Sequence, residues 1–131
     1  MSSETAIPDG QRVLVVDDNQ DACELLAERL QQAGYQVELA HDGRAALAAA
    51  RNAGCQIALV DLGLPDMDGF EVCRTLKAER PQLYVVALTG YSDQGARDRA
   101  KQAGFDRFLV KPLDSRRVLS TLSELLGQRG S

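Results

Sequence analysis

Arg12-Val-Leu-Val-Val-Asp17-Asp18 is the stretch from which the rest of this 131-residue chain can be read. Val, Leu, Val and Val follow one another with no polar alternation, as in a strand buried on both faces, and the run stops on acid. Strands of that kind belong to parallel sheets with helices on both sides. The same phrase returns at Ile57-Ala-Leu-Val-Asp61. Outward from these two runs, apolar and amphipathic stretches alternate with almost no spare residues.

After the first strand, Leu25, Leu26, Leu30 and Ala33 predict a helical stripe over about 20–33, stopped by Gly34. A second strand is expected over 35–40. Asp42 can cap an Ala-rich helix over about 43–53, ended by Gly54. Beyond the third strand, Pro65 and Gly69 bracket a loop, and Asp68 with Glu71 has capping-box spacing for a helix through Leu76. A fourth strand over 83–88 ends at Thr89-Gly90. Residues 93–103 read as helical but polar, with Ala96, Ala100 and Ala103 for packing. A fifth strand covers 106–110, and after Lys111-Pro112 Asp114 can cap a last helix striped by Val118, Leu119, Leu122, Leu125 and Leu126. Five βα units imply a parallel sheet, and because a closed barrel normally takes eight, the expectation is an open five-stranded α/β sheet. Residues 1–11 read as a flexible lead, 12–126 as one domain and 127–131 as a flexible tail.

Composition excludes several classes. A hydrophobic fraction of 44% supports a core, while 5% aromatic residues favours helical or α/β architecture over all-β. A net charge of −4 lacks the basic balance of a direct nucleic-acid binder. No apolar run suits a membrane span and no signal pattern opens the chain, so a soluble cytoplasmic protein is expected. Cys23, Cys55 and Cys73 have no C-x-x-C spacing and read as reduced, small apolar residues. The lone His41 reads as a strand-end residue, with no second His or Cys at ligand spacing.

The polar residues that close the buried strands carry the chemistry: Asp17 with Asp18, Asp61, Thr89 and Lys111, after strands one, three, four and five. Open α/β sheets bind ligands outside the carboxyl ends of the strands, where strand order reverses. If the order is 2-1-3-4-5, strands one and three flank that point and the three acids converge. Converging carboxylates need a counter-ion, and oxygen-only ligands favour Mg²⁺ or Mn²⁺ over zinc. Lys111 would set a compact positive charge opposite the metal, and Thr89 a hydroxyl that can donate to an anion, with Gly90 leaving space beside it. Such a pocket suits a phosphoryl group bonded to one carboxylate, and Asp61, on the central strand, is the expected nucleophile. Taken singly, Asp18 or Asp68 is more simply a helix cap, and Lys-Pro or Thr-Gly an ordinary turn. The argument rests on their recurrence after four strands.

With these residues in hand, the sequence resembles the receiver domain of response regulators. The matching segments are Val-Leu-Val-Val-Asp17-Asp18-Asn, Asp61-Leu-Gly-Leu-Pro-Asp-Met-Asp-Gly69, Ala-Leu-Thr89-Gly90, Ala-Gly-Phe-Asp106 and Phe108-Leu-Val-Lys111-Pro112, within about 12–126. The resemblance implies a flavodoxin-like (βα)5 fold of order 2-1-3-4-5. It implies Asp61 as phosphoacceptor, Mg²⁺ held by Asp17, Asp18, Asp61 and the backbone carbonyl of Gly63, and Lys111 on the phosphoryl oxygens. It further implies Thr89 as switch hydroxyl, Phe108 at the aromatic switch position and a cis Lys111-Pro112 peptide. Gly63 and Tyr91 lie near positions that tune phosphoryl lifetime in such domains. The implied donor is a phosphohistidine on a histidine kinase or a histidine phosphotransfer protein. The local phrasing also resembles receivers fused to hybrid histidine kinases, so the chain is either a single-domain regulator or a piece of a longer one.

The helix at 93–103 is the expected moving part, because three alanines pin it weakly. Arg97, Arg99, Lys101, Arg107, Arg116 and Arg117 make the 93–126 surface basic, either as a solvated face or as a docking or homodimer surface. Two other classes fit less well. An Asp-nucleophile phosphohydrolase typically has a second acid two positions on, where this chain has Gly63. A flavin-phosphate site favours a Ser/Thr/Gly loop after the first strand, where this chain has Asp17-Asp18-Asn19-Gln20-Asp21.

Overall fold

The computed structural model describes residues 11–90 and 94–130. Five strands, β1 (Arg12–Val16), β2 (Gln36–Ala40), β3 (Ile57–Asp61), β4 (Tyr84–Thr89) and β5 (Arg107–Val110), alternate with five helices. The helices are α1 (Gln20–Gln32), α2 (Gly43–Ala53), α3 (Gly69–Glu79), α4 (Gln94–Ala103) and α5 (Ser115–Gly130). All pairings are parallel, in the order β2-β1-β3-β4-β5. The expected open α/β sheet and its strand order are therefore what forms.

The continuous apolar runs are explained by the two cores they serve. Successive residues of a strand point to opposite faces. Leu14, Val16, Ala58, Val60, Val85 and Ala87 face one core, which α2, α3 and α4 complete with Ala46, Ala50, Phe70, Cys73, Leu76 and Ala100. Val13, Val15, Ile57, Leu59, Val86 and Leu88 face the other, where α1 and α5 supply Cys23, Leu26, Leu30, Val118, Leu122 and Leu125. The edge strand β2 alternates exposed and covered residues, as an edge should.

Several local expectations need correction. In α1 the buried face is Cys23, Leu26, Ala27 and Leu30, whereas Leu25 is 58% exposed and Ala33 is exposed too. Adjacent leucines satisfy either of two stripes a fraction of a turn apart, and packing on β1 selects the one that contains Leu26. The cap of α1 is Asn19, whose side chain accepts from Ala22 N at 3.0 Å, and not Asp18. Asp42, Asp68 and Asp114 do accept from the first turns of α2, α3 and α5. α3 runs on to Glu79, past Leu76, since Arg80 N still donates to Leu76 O. α5 continues to Gly130, into the span read as a tail. The lead, apart from Gln11, and Tyr91 lie outside the described residues.

Candidate functional site at the carboxyl ends of β1 and β3

Strand register builds the site. Val16 of β1 lies opposite Val60 of β3, so the next step brings Asp17 alongside Asp61. Asp61 in turn pairs with Leu88 of β4, which leaves Thr89 one residue further out, opposite Val110 of β5. Lys111 follows directly, with its N–H donating to the Thr89 carbonyl at 2.7 Å. The Lys111-Pro112 peptide is cis.

Asp17, Asp61 and Thr89 are buried, at 3%, 8% and 3% exposure, whereas Asp18 is exposed. One carboxylate oxygen from each of Asp17, Asp18 and Asp61 lies within 4.8 Å of the others. The Lys111 ammonium bridges the two buried acids, donating to Asp17 Oδ2 at 2.9 Å and to Asp61 Oδ2 at 3.1 Å. The remaining oxygens are also engaged: Asn19 N–H donates to Asp17 Oδ1, and Gly63 N–H donates to Asp61 Oδ1, both at 3.0 Å. Partial burial pushes the Lys111 ammonium down, but its hydrogen bonds to Asp17 and Asp61, and their charges, outweigh this and hold it above its ordinary value. Lys111 is therefore a cation across the physiological range.

This donor set is oxygen-only, clustered and open on the Asp18 side, which fits a hard divalent cation better than zinc. His41 is not part of it. Its Nδ1 lies 3.0 Å from the Asp17 carbonyl, which can only accept, so Nδ1 carries the hydrogen and ties the end of β2 to β1. The three cysteines are free and buried. Burial pushes the Cys23 thiol up to about 11 and that of Cys73 up to about 12, so they are inert packing groups rather than nucleophiles.

The response regulator receiver domain model matches residues 13–123. The chain belongs to that family. The receiver domain is 36% identical over 116 residues to the transcriptional regulatory protein CreB of Escherichia coli, which covers 88% of this chain and 51% of CreB. It thus spans about half the length of that relative. Among solved structures it is similar to a CheY-like receiver domain protein from Methanospirillum hungatei, with a TM-score of 0.88 and 30% identity, covering 93% of this chain and 98% of that one. It is also similar to the chemotaxis protein CheY4 of Vibrio cholerae, with a TM-score of 0.84 and 32% identity over 88% of this chain and 98% of that one. The receiver is accordingly a signalling domain of two-component systems. Among the described residues no helix is long and apolar enough to cross a membrane.

Two features beside the site had no counterpart in the sequence reading. Phe108, half-buried on β5, has the Arg97 guanidinium 5.0 Å above its ring centroid. A groove lined by Ala22, Leu25, Leu26, Pro112 and Leu113 opens next to Asp17 and Lys111. The adjacent pair Leu25-Leu26 was the only available signal for that groove, since one of two neighbouring leucines must point away from a single packing face.

Proposed function

We propose that this receiver takes a phosphoryl group from a phosphohistidine, on a histidine kinase or a histidine phosphotransfer protein, onto Asp61. The observation that carries the reading is the Lys111 ammonium set between the Asp17 and Asp61 carboxylates at 2.9 and 3.1 Å. A carboxylate oxygen of Asp61 attacks phosphorus, the phosphorus–nitrogen bond of the donor breaks, and its electron pair returns to the imidazole. Gly63 N–H, already on Asp61 Oδ1, orients the nucleophile. Lys111 faces the charge on the phosphoryl oxygens. A Mg²⁺ or Mn²⁺ ion held by Asp17, Asp18, Asp61 and the Gly63 carbonyl would neutralise the carboxylates and phosphoryl oxygens together.

The receiver would catalyse only its own phosphorylation and dephosphorylation. Gly63 supports the second half of this, because among the described residues beyond its chain neighbours the atom near the place of a Cβ there is Asp61 Oδ1, at 3.8 Å, leaving room for water. The donor would dock in the apolar groove at Leu25 and Leu113, which adjoins the acceptor and presents a large exposed aliphatic side chain. The phosphoryl group brings roughly −1.5 to −2 charge and three strong acceptors. Thr89 would donate to it, Phe108 would move into the space left, and the 93–126 surface would change its partner or form a homodimer. A cytoplasmic location suits a phosphohistidine donor.

Incubation with a small phosphodonor and Mg²⁺, followed by intact-mass measurement, tests the reaction. One phosphoryl group should be gained, and Asp61→Asn should gain none. A mass gain retained by Asp61→Asn removes Asp61 as acceptor.

A further inference from the structure

The loop between β3 and α3, residues 62–68, carries Gly63, so whatever holds this loop decides where the Gly63 N–H and carbonyl lie. Its ends are fixed: Leu62 N–H donates to Leu88 O at 2.9 Å, and Asp68 caps α3 through Phe70 N at 2.9 Å. Between them Asp66 reaches across to the first turn of α2. Its Oδ1 accepts from Gly43 N–H at 2.7 Å and its Oδ2 from Arg44 N–H at 3.1 Å. Both contacts span more than twenty residues of chain. α2 has its own local cap, since Asp42 Oδ1 accepts from Ala45 N–H at 2.8 Å, so the helix is started without Asp66.

Two further observations mark the clamp as built. Met67 seats directly on Gly43, where an added Cβ would stand 2.7 Å from the Met67 Sδ and 2.8 Å from its Cβ. The Gly43 N–H hydrogen bond, helped by that from Arg44 and by the Arg44 charge, holds the Asp66 carboxyl below its ordinary value although burial acts the other way. The geometry points to Asp66 as a positioning residue for the Asp61 site: by fastening the middle of the 62–68 loop to α2, it fixes Gly63, whose N–H holds Asp61 Oδ1. Leu62, Leu64 and Met67 also pack against the core, but such contacts are non-directional and leave the backbone between them more conformers, each placing Gly63 differently. A bidentate tie in the middle removes that freedom before ligand arrives, as the supporting shell of a metal site commonly does. The inference rests on the metal reading proposed above.

The test is a Mg²⁺ titration of the full chain followed by amide chemical shifts, with thermal unfolding of the metal-free protein recorded in parallel. Asp66→Ala should weaken Mg²⁺ binding about tenfold. Asp66→Asn, which keeps one acceptor oxygen, should recover part of the loss. Asp42→Ala, which removes the other carboxylate of the same helix end, should lower thermal stability and leave Mg²⁺ affinity within about twofold. Equal loss of affinity in Asp66→Ala and Asp42→Ala would overturn the proposal, because α2 as a whole would then be responsible. So would unchanged affinity in Asp66→Ala when the parent protein binds Mg²⁺. A parent protein with no Mg²⁺ response removes the metal reading itself, and the clamp's role with it.

Discussion

At position 69 an added Cβ would lie 2.7 Å from the Leu62 Cα and 2.8 Å from the Asp61 carbonyl oxygen. Both neighbours are backbone, so neither can swing aside as a side-chain tip could. The start of α3 therefore rests against the peptide that carries Asp61, and only glycine permits that approach. Gly69→Ala should cost about 1–3 kcal/mol of stability, the usual range for overpacking, and should slow phosphorylation by displacing Asp61. Gly90→Ala is the control, since among the described residues, its chain neighbours aside, nothing lies within 4 Å of a Cβ there. Urea unfolding of the two variants is the measurement, and equal losses would show that α3 slides away at no cost. In the sequence Gly69 reads as the edge of a loop. Its closeness to Asp61 depends on where α3 lands, eight residues away in the chain, and no local pattern encodes it.

Between elements, the difference in burial decides which helix can respond. α5 buries Val118, Leu122, Leu125 and Leu126, and large aliphatic side chains contribute about 1.5–3 kcal/mol each when fully buried. α4 buries only Ala100 and Ala103, at about 0.8 kcal/mol per carbon taken from water, with Ala96 half-covered. The Arg97 stack on Phe108 adds about 0.5–1 kcal/mol at an exposed site and couples α4 to a residue expected to move. Amide exchange should thus be faster over 94–103 than over 118–126, and phosphorylation should change it chiefly at 94–103. A change spread evenly over α5 would count against α4 as the moving element. This contrast was legible in the sequence, because it follows from the residue types on each stripe. The α1 face was not, because Leu25 and Leu26 serve a stripe equally well until β1 is in place. Nor were Asp66 on α2, which joins segments more than twenty residues apart, and Arg97 on Phe108, which joins consecutive elements; both use residues that read locally as turn and surface.

Across the molecule, one ammonium balances acids supplied by two strands and ties in a third. Lys111 sits at the end of β5, Asp17 after β1 and Asp61 at the end of β3, so its two hydrogen bonds span the sheet at its open end. Without the ammonium, two buried carboxylates face each other with no other cation among the described residues between them. Lys111→Ala should lower the unfolding free energy of the metal-free protein by about 2 kcal/mol, less than the loss for a fully buried pair because Lys111 is partly solvated. Its raised pKa fixes the sign of the pH effect: the contribution is fully present below the ordinary value of 10.5 and disappears as pH rises through the higher folded value. Wild type and Lys111→Ala should therefore converge in stability in strong alkali and differ most at neutral pH. Saturating Mg²⁺ should shrink the neutral-pH gap, since an ion bound only by the folded state stabilises it by mass action and neutralises the same two acids. Urea unfolding of both proteins, with and without Mg²⁺, measures this. A gap that Mg²⁺ leaves unchanged would mean that the cation and the ammonium act on different groups, and the shared electrostatic site would have to be abandoned.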